Sequence, residues 1–161
     1  MQRINVNEPT MFIKGNAKLI ASDPLTGAVI GGAENHNLVV TLAKSLIAAM
    51  LLGESGYDTG LTYCAIGTGA TTPALTDTKL TTEAGTRQVI TKKSRTVNVI
   101  ELRTFFAAAN SSISIKEAGI FGHSTASATP DSGVLFCHSL LTYDNSAGGA
   151  DITIVWALTI G

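Results

Sequence analysis

The clearest pattern in this sequence is Ile152-Thr153-Ile154-Val155-Trp156-Ala157-Leu158-Thr159-Ile160, in which large apolar residues alternate with smaller or polar ones. A period of two residues predicts a β-strand with one face turned toward a core. Trp156 stands in the middle of the apolar row. We therefore expect Trp156 to be a buried structural residue and not part of a ligand site.

Seven further segments have the alternation or composition of strands. Apolar and polar residues alternate from Phe12 to Ile20, and Asp23-Pro24-Leu25-Thr26-Gly27 has the composition of a turn, so residues 12–32 are predicted to form a β-hairpin. The other segments are 62–66, 87–91, 96–106, 113–121 and 134–143. About eight strands at this spacing predict a mainly β fold, an antiparallel β-sandwich.

One segment, residues 38–52, has a helical period instead. Apolar residues recur four positions apart from Leu38 to Met50, and Asn37 and Gly53 are suitable residues for the start and the end of a helix. Only three residues of this segment are polar. We therefore expect one buried α-helix, packed under the sheet or against another subunit.

Two glycine-containing segments are expected to have structural roles. Ala65-Ile66-Gly67-Thr68-Gly69 lacks the Lys-Ser/Thr pair of a Walker loop and the third glycine of a Rossmann fingerprint. Gly67 and Gly69 are therefore expected at a bend where another backbone packs closely. Gly119 interrupts a β-like run, where a missing side chain is typical of a bulge or of a close backbone approach.

The composition indicates a domain that assembles with other chains. Of the 161 residues 45% are hydrophobic and 14% are charged, against roughly 25% charged in an average soluble domain. This balance excludes intrinsic disorder and indicates that other chains cover part of the surface. The formal net charge of −1 disfavours direct binding of nucleic acid.

The pattern divides the chain into an arm and a domain. Residues 1–11 are polar and have no periodicity, so they are predicted to form an N-terminal arm that either frays or becomes ordered on a neighbouring subunit. Residues 12–161 are predicted to form a single β-sandwich domain. Both arm alternatives stay open at this point.

No set of residues has the spacing of a catalytic or metal site. The histidines are scattered, at His36, His123 and His138, and no serine lies in a Gly-x-Ser-x-Gly motif. Glu83, Glu101 and Glu117 have no second acid placed across a cleft. We expect no enzymatic activity, no metal and no cofactor, and we expect Glu101 to form an exposed pair with Arg103.

The two cysteines, Cys64 and Cys137, are flanked by strand-like apolar residues. The first seven residues lack the apolar core of a secretory signal, and the apolar stretch 42–52 is shorter than the about 20 residues that span a bilayer. We expect no membrane association and two buried free thiols in a reducing cytoplasm, with a disulfide as the alternative. Lys92-Lys93-Ser94-Arg95 is expected to be a solvated hairpin end.

Three stretches of the chain occur in an order that carries a resemblance. The first is Asp23-Pro24-Leu25-Thr26-Gly27, with His36-Asn37-Leu38-Val39-Val40 before the helix. The second is Ala65-Ile66-Gly67-Thr68-Gly69, with Asp77-Thr78-Lys79-Leu80, Glu83 and Arg87. The third is Lys116-Glu117-Ala118-Gly119-Ile120-Phe121, with Gly133-Val134-Leu135-Phe136 after a loop. Over about residues 12–160, this order resembles the N-terminal attachment modules of tail-collar and tail-fibre proteins of tailed bacteriophages.

The resemblance implies a non-enzymatic structural protein of the virion, made in the host cytoplasm. Its expected place is on the tail, as an adaptor, a collar or a fibre anchor, and its expected partners are copies of itself, in a trimer or other ring, and other virion proteins. Gly161 follows the last strand without a fibre stalk, so a capsid decoration protein that stabilises the head lattice is the alternative. A receptor- or carbohydrate-binding module is less expected, because the chain has few aromatic residues for a sugar platform.

Overall fold

A computed structural model describes residues 11–161, and within this range the chain forms nine strands and one α-helix. In chain order they are β1 (Ile13–Ser22), β2 (Val29–Val39), α1 (Thr41–Leu52), β3 (Leu61–Gly67), β4 (Glu83–Val89), β5 (Lys92–Thr96), β6 (Val99–Phe106), β7 (Ser114–Gly122), β8 (Val134–Asp144) and β9 (Asp151–Ile160). A short 3-10 turn, Ala108–Asn110, joins β6 to β7.

The strands form one antiparallel sheet in the order β4-β3-β7-β8-β2-β1-β9-β6-β5. Its two edge strands, β4 and β5, are consecutive in the chain and are separated by Ile90 and Thr91 alone. In a flat sheet nine strands wide, the edges would be about 38 Å apart, whereas this link spans about 10 Å. The sheet must therefore curl strongly, and it forms a half-barrel.

The link between the edge strands also forms hydrogen bonds with the second strand from each edge, β3 and β6. The Ile90 N–H donates to the carbonyl of Thr62 in β3, at 2.8 Å, and the Thr91 N–H donates to the carbonyl of Arg103 in β6, at 2.9 Å. One short segment thus passes from one end of the strand order to the other, and holds the curled sheet together at this corner.

The mainly β class, the antiparallel pairing and the single helix are confirmed, but a clear sandwich of two separate sheets is not seen. The reason lies in β2, which pairs with β1 along most of its length and with β8 through Leu38 and Val39. This strand joins the two halves into one sheet. The predicted arm, residues 1–11, lies outside the described residues except for Met11.

The prediction for the basic cluster was right about its exposure but wrong about its place in the hairpin. Residues Lys92–Thr96 are a strand, β5, paired with Val99–Arg103, and the hairpin turn falls at Val97 and Asn98. Every side chain of β5 is exposed, so this edge strand has no apolar row that could have revealed it. This strand raises the number from the expected eight to nine within the described range.

The strand that contains Trp156, β9, lies between β1 and β6, third from one edge of the sheet. In the alternating row of β9, Ile152, Ile154, Trp156 and Leu158 are buried as predicted, while Ile160, at the open end of the half-barrel, is 36% exposed. Trp156 pairs with Ala17 of β1 on one side and with Leu102 of β6 on the other. The small Ala17 leaves room for the indole, which is fully buried.

The helix is shorter and more exposed than predicted. It begins at Thr41 because Leu38 and Val39 pair with β8, and Val40 takes the N-cap position expected for Asn37. Gly53 ends the helix in the left-handed conformation, as the sequence indicates. The buried residues of α1 are Ala43, Leu46 and Ala49. One face therefore covers the core and the rest is open.

Among residues 11–161, no helix is both long enough and apolar enough to span a bilayer; α1 itself has 12 residues.

Gly119 lies on β7 between His138 of β8 and Ala65 of β3. A Cβ atom at this position would lie 2.9 Å from Leu80 Cδ2, 3.0 Å from Leu135 Cδ1 and 3.2 Å from the carbonyl oxygen of Cys137. The backbone approach is therefore close, and the register of β7 against β8 shifts just beyond it, after Ile120.

Trp156→Ala is expected to lower the free energy of unfolding by about 3–5 kcal/mol, because it leaves a large cavity between β1 and β6. Val155→Ala, on the opposite face of the same strand, is the matched control and should cost much less. Urea denaturation followed by circular dichroism measures both. A loss for Trp156→Ala no larger than that for Val155→Ala would contradict the central packing role of the indole.

Gly119→Val is expected to prevent folding or to lower the stability of the folded protein strongly, since the new methyl groups have no space between Leu80 and Leu135. Gly149→Val is the matched control, because a Cβ atom at Gly149 has no neighbour within 4 Å. Soluble yield and melting temperature of the two variants are compared. Similar melting of both variants would show that the neighbours of Gly119 can move aside.

Candidate functional site

Polar residues from distant parts of the sequence meet around two buried side chains, Glu117 of β7 and His138 of β8, beside the loop after β3. They come from the second and third stretches that carry the bacteriophage resemblance, and from β8. We name this set the carboxylate clamp; its members are Gly69, Asp77, Thr81, Thr82, Glu117 and His138.

Glu117 is the centre of the carboxylate clamp, and its side chain is fully buried. Oε1 accepts hydrogen bonds from the backbone N–H groups of Thr82 at 2.6 Å and Gly69 at 3.1 Å. Oε2 accepts from the N–H of Thr81 and from Nε2 of His138, both at 2.9 Å. Burial alone would raise the pKa of Glu117, but the bonds from His138, Thr82 and Thr81 outweigh it and lower the pKa below its ordinary value.

His138 lies between two carboxylates. Its Nδ1 is 2.9 Å from Oδ2 of Asp77, and its Nε2 is 2.9 Å from Oε2 of Glu117. Carboxylate oxygens only accept hydrogen bonds, so both ring nitrogens donate and the ring is an imidazolium. Burial alone would lower the pKa of His138, but the bonds to Glu117 and Asp77 outweigh it and raise the pKa.

The geometry of the clamp suits anchoring better than catalysis. Both ring nitrogens of His138 are already bonded, so neither is free to accept a proton from a substrate. Asp77 also accepts the backbone N–H of Ala74 at 2.9 Å. Glu117 thus holds both ends of the loop 68–82 on the sheet, and Asp77 holds its middle through His138. The charges of these groups neutralise one another in part.

Gly67 and Gly69 provide the space for this arrangement. A Cβ atom at Gly67 would lie 2.6 Å from Oε1 of Glu117, and one at Gly69 would collide with the same oxygen. A close approach at these two positions was expected, but with another backbone as the neighbour. The backbone of Thr82 does lie against Gly67, but the partner that both glycines share is a side-chain carboxylate.

A second buried ion pair lies beside the clamp. Nε and Nη2 of Arg87 donate to the two oxygens of Glu83, at 2.6 and 2.8 Å, and Nη1 donates to the carbonyl of Ser132 at 2.6 Å. The guanidinium carbon lies 3.7 Å from the centre of the Phe121 ring. Both side chains of the pair are almost completely buried.

A bulge in β4 makes this pair possible. Residues four apart in a regular strand are about 13 Å apart, too far for an ion pair. Here Cys64 of β3 pairs with Gln88 of β4, and Ile66 pairs with Ala84. Two residues along β3 therefore correspond to four residues along β4. Gly85, with φ of 79°, permits the bulge that brings Glu83 and Arg87 together.

Neither cluster was predicted from the sequence. Glu83 and Glu117 were expected to be acids without partners, because their partners lie on other strands or across a bulge. One signal was present: His138 stands in a strand with apolar residues on both faces, and a buried polar group needs a bonding partner. The expected exposed pair of Glu101 with Arg103 is confirmed, with an N–O distance of 2.8 Å.

The two cysteines are free and buried, as expected. Cys64 of β3 and Cys137 of β8 both pair with Ile120 of β7, from opposite sides. Two strand spacings, about 10 Å, separate their backbones, so a disulfide would require the strands to move. Burial raises the pKa of the Cys64 thiol to about 12 and also raises the pKa of Cys137.

The open end of the half-barrel contains an apolar groove of about 670 Å³. It lies between α1 and the sheet, where β1 and β6 begin and β9 ends. Its walls are mostly aliphatic, and Lys93 and Arg95 of β5 stand on one side. The groove has the size of a ligand pocket, and it could also accommodate a few large side chains of another chain.

Comparison of the chain with protein-family models, with curated protein sequences and with solved structures finds no match.

The clamp predicts how stability depends on pH. The folded pKa of His138 lies above the ordinary 6.5, so its stabilisation is complete below about pH 6.5 and is lost as the pH rises through the folded value. The folded pKa of Glu117 lies below the ordinary 4.5, so its contribution is complete above about pH 4.5 and is lost as the pH falls through the folded value.

We therefore expect the free energy of unfolding, measured by urea denaturation, to be highest between about pH 4.5 and pH 6.5 and to decline at lower and at higher pH. His138→Gln should flatten the alkaline decline, whereas His36→Gln, at an exposed position, should leave it unchanged. An alkaline decline of the same size in His138→Gln and in the wild type would show that the imidazolium does not hold the loop.

Proposed function

We propose that this chain is a non-enzymatic structural component of a tailed-phage virion. In this proposal it is tail-associated, as an adaptor, a collar or a fibre anchor, and it acts by assembly with copies of itself and with other virion proteins. It is made in the host cytoplasm and binds neither nucleic acid nor membrane. Two kinds of support exist, the resemblance of three stretches and the surface of the folded chain.

The observation that carries the proposal is the apolar surface around α1. Leu51 and Leu52, at the end of the helix, are 83% and 77% exposed, and the apolar groove opens beside them. Large side chains of this kind are costly to leave in water, at about 25 cal/mol per Å². An exposed apolar patch beside a groove is typical of a protein-protein interface. This favours a role in assembly.

The carboxylate clamp supports the same role. Asp77, Glu117 and His138 bond to one another and to backbone groups, and Arg87 is bonded to Glu83 and Ser132. These ionic groups are therefore used to hold loops 68–82 and 123–133 in place. A rigid surface loses little conformational entropy on binding, which suits a part of a particle.

The resemblance gains support from the position of its residues in the fold. The Gly-rich bend, Asp77, Glu83, Arg87 and Glu117 were quoted as separated motifs, yet they meet in two adjoining clusters. Residues that must touch to hold one loop are expected to occur together in related chains. In this chain, one arrangement of buried charges thus joins the motifs that carry the resemblance.

Location in the particle tests the proposal. Gold-labelled antibody against the purified chain is applied to purified particles of the phage that encodes it, and labelling on the tail is expected. Antibody adsorbed beforehand with the chain is the control and should not label. Labelling spread over the head lattice would assign the alternative capsid decoration role, and absence of the chain from the particles would refute a virion component.

A further inference from the structure

The groove and the end of α1 form one continuous apolar surface. Met11, Met50 and Leu51 line the groove and are also exposed, and Leu52 follows Leu51 in the helix. Ile160 lies at the end of β9 on the same rim. We name this surface the groove face. It combines a protruding part, Leu51 and Leu52, with a recess of about 670 Å³.

We propose that the groove face is the site where a second copy of this chain docks, with Leu51 and Leu52 of each copy against the groove of its neighbour. The proposal deepens the proposed function, on which it rests, because it names the surface by which copies assemble. A protrusion beside a recess on one side of a molecule is complementary to itself, as a two-fold interface between identical chains requires.

The charges around the groove face favour the end of a helix as the occupant. The C-terminal end of a helix carries about half a negative charge, and α1 has no basic residue in its last turn to offset it. Glu54, exposed, follows the helix directly and adds a negative charge. Lys93 and Arg95 stand on the opposite side of the groove. The helix end of a second copy would thus meet two positive charges.

The amount of apolar surface is also adequate. A standard interface takes about 800 Å² from each partner, of which about 450 Å² is apolar. A large aliphatic side chain contributes on the order of 60–120 Å² when it leaves water. The exposed side chains of the groove face and the groove walls together approach that amount. The groove face is therefore large enough for an interface of standard size, and no other apolar residues are needed.

The test measures self-association of the purified chain by sedimentation velocity, from 1 to about 100 μM. We expect the wild type to associate in the micromolar range typical of modest interfaces. Leu51→Lys should weaken association at least tenfold, because it places a charge in the apolar contact. The side chain is 83% exposed, and a lysine is favourable at a helix C-terminus, so the fold should be kept.

Leu25→Lys is the matched control, because Leu25 is 95% exposed and lies beyond the far end of β1, about 30 Å from the groove. It should associate like the wild type. A second variant, Lys93→Glu, tests the charge argument on an exposed edge strand and should also weaken association. Circular dichroism and melting temperature verify that each variant is folded.

Three outcomes would overturn the proposal. They are a wild type that stays monomeric at about 100 μM, a folded Leu51→Lys variant that associates as strongly as the wild type, and a loss of association on deletion of residues 1–10 that Leu51→Lys does not share. The last outcome would assign self-association to residues 1–10 instead of the groove face. The proposed function fails separately, by absence from particles, whatever the purified chain does in solution.

Discussion

The two-residue link between β4 and β5 is the constraint from which the rest of the architecture follows. Because Ile90 and Thr91 join the two edges of a nine-strand sheet, the sheet has to curl until those edges come close at the corner where the link lies. The curl creates a concave face, and that face is where Trp156 and the buried residues of β1, β6 and β9 pack. Helix α1 covers part of the opening, and the groove is the part that it leaves uncovered.

Buried charge is used here to fix loops that contribute few side chains to the core. The loop after β3 is mostly exposed, yet Glu117 and His138 hold it through bonds to backbone groups and to Asp77. A buried carboxylate with three N–H donors and an imidazolium is well satisfied, whereas the same carboxylate alone would be costly to bury. Removing one of Glu117, His138 and Asp77 therefore weakens the bonds of the other two.

The sequence predicts those parts of this fold that depend on neighbours along the chain. Alternation revealed β1 and β9, and Gly53 marked the end of α1, because these signals are local. Strand β5 was missed since its exposed charged residues have no apolar row, and the start of α1 was misplaced since Leu38 and Val39 pair with a strand about a hundred residues away. The clamp was missed for the same reason, as His138 is 61 residues from Asp77 and 21 from Glu117.

The position of β9 between β1 and β6 has a consequence for the order of folding during synthesis. β1 and β6 both pair with β9, so until residues 151–160 have been made, each of these strands presents an unpaired edge and the core lacks its indole. Hairpins such as β1–β2 can form early. The curled sheet is complete only when β1 and β9, at the two ends of the described chain, have paired. Such distant pairing slows folding and exposes edges that attract other strands. Nascent copies being translated side by side on one message would be the first partners available to those edges.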